Sequence, residues 1–318
     1  MNHNELLIKL EKLIDIAQKN PRDISFIQNH LSMTNRLTFN QLLNEKEVKI
    51  KEPRKKKTSK LKKAYMLTVF DEPQFAAELT LSLGKLFSDK KVAILDADRF
   101  NPRLDVYLNT QSHIKSVFTH LDFRRATGLN LLIDANNKHA LTKQYAEHLS
   151  LKVDGYKNVS YFSGNYLIED YEYFKLEDYK KVIQFLKCHY DILIVSVNKF
   201  IYDAYTCQSL ITSDYNLISI RGSLPDINEK TRYVDFLVSK QKIEKPKNLY
   251  FLFDYNLTYH IKEKLVKEIV DGYYLGSIPY SPYRSQGLYR NYSMTKRMKK
   301  RNMTPYIRIF NKLREESL

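Results

Sequence analysis

Residues 64–102 read AYMLTVF (64–70), DEPQFAAELTLSLGKLF (71–87) and SDKKVAILDADRFNP (88–102). The first piece is a short apolar run rich in β-forming side chains, the signature of a buried strand. In the second, Phe75, Leu79, Leu83 and Leu86 recur at helical spacing, with Ala76 and Leu81 beside them. In the third, Val92 to Leu95 make another apolar strand, ending on Asp96-Ala97-Asp98. Two apolar strands joined by one helix form a βαβ unit, whose strands are expected to lie parallel with a right-handed crossover.

Working outward, the pattern repeats. Helices are expected over 113–127, 140–149, 174–188, 203–212, 233–240 and 259–270, from their i, i+3, i+4 apolar spacing. Strands are expected over 159–162, 189–195, 216–221 and 249–253, and 129–134 reads as a strand or a short apolar turn. Strands alternating with helices predict an α/β fold, a mostly parallel twisted sheet with helices on both faces. Upstream, Leu6, Leu10, Leu13 and Ile14 open a run of three short amphipathic helices, a small helical module over 1–45. Residues 46–63, KEVKIKEPRKKKTSKLKK, have no apolar periodicity and read as a basic linker containing Lys55, Lys56 and Lys57. The α/β domain then occupies 64–318. Near its end Thr304 is expected to cap a helix with Pro305 at its first position, and Tyr306, Ile307, Phe310 and Leu313 form one face.

Composition narrows the function. The 318 residues carry a net charge of +16, with 43% hydrophobic residues and two cysteines. The charge is uneven. Residues 1–63 hold 15 Lys/Arg against 7 Asp/Glu, residues 284–318 hold 10 against 2, and the stretch between holds 27 of each. A neutral body with basic ends suits an acidic protein, an anionic lipid surface or nucleic acid. Two cysteines in no ligand spacing argue against a disulfide scaffold or zinc site. The N-terminus lacks the apolar core of a signal peptide, and no apolar run has the length of a membrane span. The expected location is cytoplasmic, with peripheral attachment at the inner face of the membrane as an extension.

The order strand, loop, helix, strand, Asp-x-Asp resembles the start of the ParA/MinD group of P-loop ATPases. In that group the loop reads K-G-G-x-G-K-T-T and the helix ends near N-L-A. Laying N-L-A on Ser82-Leu83-Gly84 sets the motif on Asp71 to Glu78. The signature lysine then falls on Asp71, the glycines on Glu72, Pro73 and Phe75, the phosphate lysine on Ala76 and the magnesium-binding threonine on Ala77; Gln74 is the variable position. Asp96 and Asp98 match the group's acidic switch positions, and the run Asp96-Ala-Asp-Arg-Phe-Asn-Pro102 is similar to the D-x-D-x-R-x-P pattern of the bacterial tyrosine kinases of capsule synthesis. Tyr190-Asp191 and Ile192–Val195 match the opening of its Walker B strand, whose aspartate falls on Ser196. Gly276-Ser277-Ile278-Pro279-Tyr280 is similar to the group's G-x-I-P-Y.

The resemblance implies a ParA/MinD-like fold from which the phosphate chemistry is missing. A P-loop needs glycines to turn backbone N–H groups inward, a lysine for the phosphates and a hydroxyl for magnesium. The expectation is a pseudo-ATPase with no cofactor, no metal and no catalytic residues, assembling or positioning a larger bacterial machinery. The TadZ/CpaE branch, which positions pilus or secretion machinery, is the nearest in design. A protein partner is expected, and a homodimer is allowed. Arg297, Lys299, Lys300 and Arg301, with Tyr306, Ile307 and Phe310, are the candidates for contact with an anionic membrane, and the linker lysines extend the set. Two other classes stay open, a DNA-associated partition or conjugation accessory using the basic ends and a degenerate relative of the tyrosine kinases.

Overall fold

The computed structural model describes residues 64–110, 128–165, 175–282, 284 and 300–316. The helical module expected over 1–45, the linker over 46–63 and the helix over 113–127 lie outside the described residues. The elements follow in order: β1 (Tyr65–Phe70), α1 (Pro73–Leu86), β2 (Val92–Asp96), α2 (Leu104–Leu108), α3 (Gly128–Asn137), α4 (Lys143–Leu149), β3 (Leu151–Val153) and β4 (Tyr156–Phe162). Next come α5 (Leu176–His189), β5 (Ile192–Val197), α6 (Ala204–Thr212), β6 (Tyr215–Ile220), α7 (Leu224–Ser239), β7 (Asn248–Tyr255), α8 (Glu263–Ile269), β8 (Tyr274–Pro279) and α9 (Lys300–Glu316).

The eight strands form one sheet in the order β3-β4-β2-β5-β1-β6-β7-β8. All neighbours are parallel except the β3–β4 hairpin. The α/β architecture read from the sequence is therefore the observed one. β1 lies inside the sheet between β5 and β6, and its side chains alternate between two cores. Tyr65, Leu67 and Val69 face the core built with α1, α2 and α9; Met66 and Phe70 face the one built with α3, α5, α6 and α7. Burial on both faces is why these strands read as continuous apolar runs.

Several local expectations are corrected. Residues 129–134 are not a strand but the interior of α3, where Leu129, Leu132 and Ile133 bury one face at i, i+3, i+4. The short strand β3 was not foreseen; it is held by a turn at Gly155, whose φ is 81°. α7 starts nine residues before Tyr233, because Ser223 caps it and Pro225 sits in its first turn. α8 starts at Glu263, since the N–H groups of Tyr259 and His260 close a turn onto the Asn256 carbonyl. α9 already runs at Lys300, so Thr304 and Pro305 lie within it and Thr304 is not its cap.

Candidate functional site

At the end of β1 the chain turns through Asp71, whose φ of 60° is left-handed. Asp enters this region more readily than most residues, and here its carboxylate accepts from Lys230. Its N–H still donates to the Val197 carbonyl at 3.0 Å, continuing the pairing with β5. Glu72 is the N-cap of α1 and Pro73 its first residue, where a missing N–H costs nothing. Every residue of α1 from Pro73 to Gly84 is buried. Such a helix must satisfy each polar group it carries. Glu78 does so by accepting from Arg284 Nε at 3.0 and 3.2 Å, from Gln74 Nε2 at 3.2 Å and from the Tyr306 hydroxyl. The same guanidinium donates to the Asp254 carboxylate, to the Pro279 carbonyl at 2.7 Å and to Tyr306 Oη at 3.1 Å. It lies 5.0 Å from the centre of the Phe253 ring.

Phe75 shares this interior. Its ring stacks on Phe251 at 3.9 Å between centroids, meets Phe253 edge-on and touches Tyr306. Ala76 and Ala77 are buried beside it.

Above the loop is a cleft of about 330 Å³ at the carboxyl ends of β1, β6 and β7. Connections leave β1 and β6 in opposite directions across the sheet, the arrangement that opens a crevice in parallel α/β folds. Four cations line the cleft, Arg103, Arg221, Lys230 and Arg284, and four carboxylates, Asp71, Glu72, Asp226 and Asp254. Most are paired across it. Lys230 Nζ is 2.8 Å from Asp71, and Arg221 is 2.5 Å from Glu72 and 3.6 Å from Asp254. Asp226 accepts the Arg221 N–H. Burial pushes the carboxyls of Glu72 and Glu78 up to about 7, against the pull of Arg221 and Arg284 respectively. Lys230, Arg221 and Arg284 are thus held by carboxylates of the protein itself, and the stretch 71–77 that borders the cleft contains no glycine.

The other acidic candidates face inward. Asp96 accepts the N–H groups of Arg103 and Leu104, both at 2.9 Å, and burial pushes it up to about 7. Asp98 accepts those of Phe100 and Asn101, both at 3.0 Å. Both carboxylates thus shape the loop after β2. Ser196 is buried in β5, level with Val69 on one side and Asp96 on the other.

No protein-family model matches the chain, and no curated protein matches it either. Solved structures do. MinD in its complex with MinC from Aquifex aeolicus shares 15% identity at a TM-score of 0.60, over 80% of this chain and 98% of that one. A ParA family ATPase from Chlorobium tepidum shares 18% at 0.61, over 78% and 98%. A putative plasmid partition protein from Borrelia burgdorferi, bound to AMPPNP, shares 16% at 0.61, over 80% and 100%. The chain has the MinD/ParA fold.

Within the MinD/ParA fold, the structure brings Asp71, Glu72, Pro73 and Gln74 to the cleft and sinks Phe75, Ala76 and Ala77 into the core. The cleft's cations were not singled out in the sequence, nor was the role of Asp254. A signal existed, because Arg221 and Asp254 stand at the ends of apolar strands, where side chains reach the crevice. Lys230 and Arg284 had none, since only packing brings them to the cleft. Of the membrane-contact candidates, Tyr306 and Phe310 are buried and Ile307 is half-buried, all on the inner face of α9. That apolar face is used by the core. Lys300 and Arg301 begin α9, while Lys55, Lys56, Lys57, Arg297 and Lys299 lie outside the described residues.

Proposed function

We propose that this chain is a non-catalytic assembly, scaffold or positioning protein on a MinD/ParA-like body, whose nucleotide pocket is given over to internal ion pairs. The loop after β1 carries the reading. Asp71 and Glu72 stand where glycines and a lysine would receive phosphate, and each is already paired to a cation of the cleft. A carboxylate within about 4 Å of a phosphate costs on the order of a few kcal/mol at a partly shielded site. Phe75 adds a steric obstacle. With no nucleotide to bind and release, the body keeps one conformation and offers a permanent surface to a protein partner, as a TadZ/CpaE-like positioning role requires. Titration of ATP and magnesium into the full chain in a calorimeter is expected to give no heat of binding. Saturable uptake with one-to-one stoichiometry would overturn the reading.

A second reading, a DNA-associated partition accessory, draws on the basic ends and on the partition protein among the structural neighbours. It expects a salt-dependent shift of duplex DNA that is lost on deleting 46–63 and 290–301. Retention of the shift without those segments removes its basis.

A further inference from the structure

The six most exposed large apolar side chains among the described residues all sit at one edge of the sheet. They are Phe100, Phe200, Tyr202, Leu224, Leu257 and Tyr259, between 51% and 78% exposed. Each lies in a loop, or in the first turn of a helix, that leaves the carboxyl end of β2, β5, β6 or β7. Phe100 meets Phe200 edge-on at 6.0 Å, Phe200 meets Tyr202 at 5.9 Å, and Tyr202 leans on Phe236 at 5.4 Å. On the far side of β1 the loops carrying Leu224 and Leu257 are joined by the bond from Ile261 N–H to the Gly222 carbonyl at 3.0 Å. At about 4.8 Å per strand, β2 to β7 spans roughly 19 Å, the width of a protein–protein contact. Exposed apolar groups concentrated in this way mark an interaction surface.

Charge selects the occupant. In these loops the exposed charges are Lys199, Arg221 and Lys262, all positive, and Arg221 is already turned onto Glu72 and Asp254. The half-buried carboxylates Asp71, Asp226 and Asp254 are taken by Lys230, the Arg221 N–H and Arg284. The carboxylates Glu72, Asp98 and Asp203 are buried, turned onto Arg221, onto backbone N–H groups, or onto Arg99 and Thr206. A second copy would bring like charges together. Nucleic acid presents about one charge per 1.7 Å of duplex, far denser than two separated lysines; the rings of Phe100, Phe200, Tyr202 and Tyr259 make single-stranded nucleic acid the competing occupant, which oligo-dT binding tests. We infer that this edge docks an acidic segment of a protein partner, with its apolar side chains on the two clusters and its carboxylates on Lys199 and Lys262. The inference rests on the reading of the chain as a body that engages a protein partner, and names that partner's chemistry.

The test is selection of a display library of random linear peptides on the full-length chain. Enriched sequences are expected to combine Asp or Glu with Leu, Ile or aromatic residues. A synthetic peptide of that consensus, followed by fluorescence anisotropy, is expected to bind about tenfold or more weakly to Tyr202→Ser or Leu257→Ser, and likewise to Lys199→Glu/Lys262→Glu. These surface variants should unfold at the wild-type temperature. Enrichment of basic peptides, no enrichment, or indifference to the variants overturns the assignment. So does a concentration-dependent dimer, or binding of oligo-dT, that the same variants abolish. Heat on adding ATP and magnesium would instead refute the non-catalytic reading and leave the peptide result standing, so the two fail separately.

Discussion

Glu78 lies in the middle of a buried helix, and the guanidinium that balances it arrives from Arg284, 206 residues later. Breaking a buried pair strands a charge, whereas removing both partners does not. Arg284→Met is therefore predicted to cost about 3 to 5 kcal/mol in urea unfolding, and Glu78→Gln/Arg284→Met to recover more than half of that. Asp96 tests burial without a salt bridge to offset it. Its folded carboxyl is raised from 3.8 to about 7, so the folded chain holds a proton that the unfolded chain has already released. That contribution is full below about pH 4 and is lost as pH rises through about 7. Between about pH 5 and 7.5 the wild type is predicted to lose stability, and Asp96→Asn to lose less, by urea midpoints. Glu72 and Glu78 shift in the same direction, so the slope is flattened and not abolished. At this scale the sequence exposed the carboxylates but not their partners. Asp71 is adjacent to a readable strand end and Glu78 lies on a readable helix, while Lys230 reaches the first and Arg284 the second only through the packing of α7 and the segment after β8.

The elements were readable wherever an apolar run was long or strictly periodic, as in β1, α1, β2 and α5. They were misread where a run was short or where a proline suggested the start of a helix. The Leu-rich run in α3 is too short to show its period, and Pro305, expected at the first position of its helix, sits inside α9. α1 shows what the fold demands of one helix. A Cβ added at Gly84 would lie 2.4 Å from Val159 Cγ2, so α1 meets β4 there with no room for a methyl group. Gly84→Ala is predicted to destabilise by about 1 to 3 kcal/mol in thermal unfolding, despite alanine's better helix propensity. In α9, Phe310 is fully buried and packs edge-on against Tyr65 and Phe87. Phe310→Ala is predicted to cost about 3 to 5 kcal/mol by the same measurement, as expected of a core helix. A helix whose apolar face waited for a membrane would lose almost nothing.

For the whole molecule, the decisive measurement is the response of global stability to nucleotide. A ligand present at a hundred times its Kd stabilises a protein by about 2.7 kcal/mol, which a thermal scan detects readily. ATP with magnesium is predicted to leave the unfolding temperature of the full chain unchanged. The sequence by itself determined the α/β class, the central βαβ unit, the basic ends and the acidic, glycine-free turn after the first strand. These follow from local periodicity and local chemistry, which a linear chain displays directly. Only the tertiary structure decided which cations answer those acids, that Asp96 and Asp98 serve the backbone, that the last helix spends its apolar face inside, and that the exposed aromatic side chains gather at one edge. Those outcomes depend on strand order, and strand order brings together residues that the sequence holds far apart.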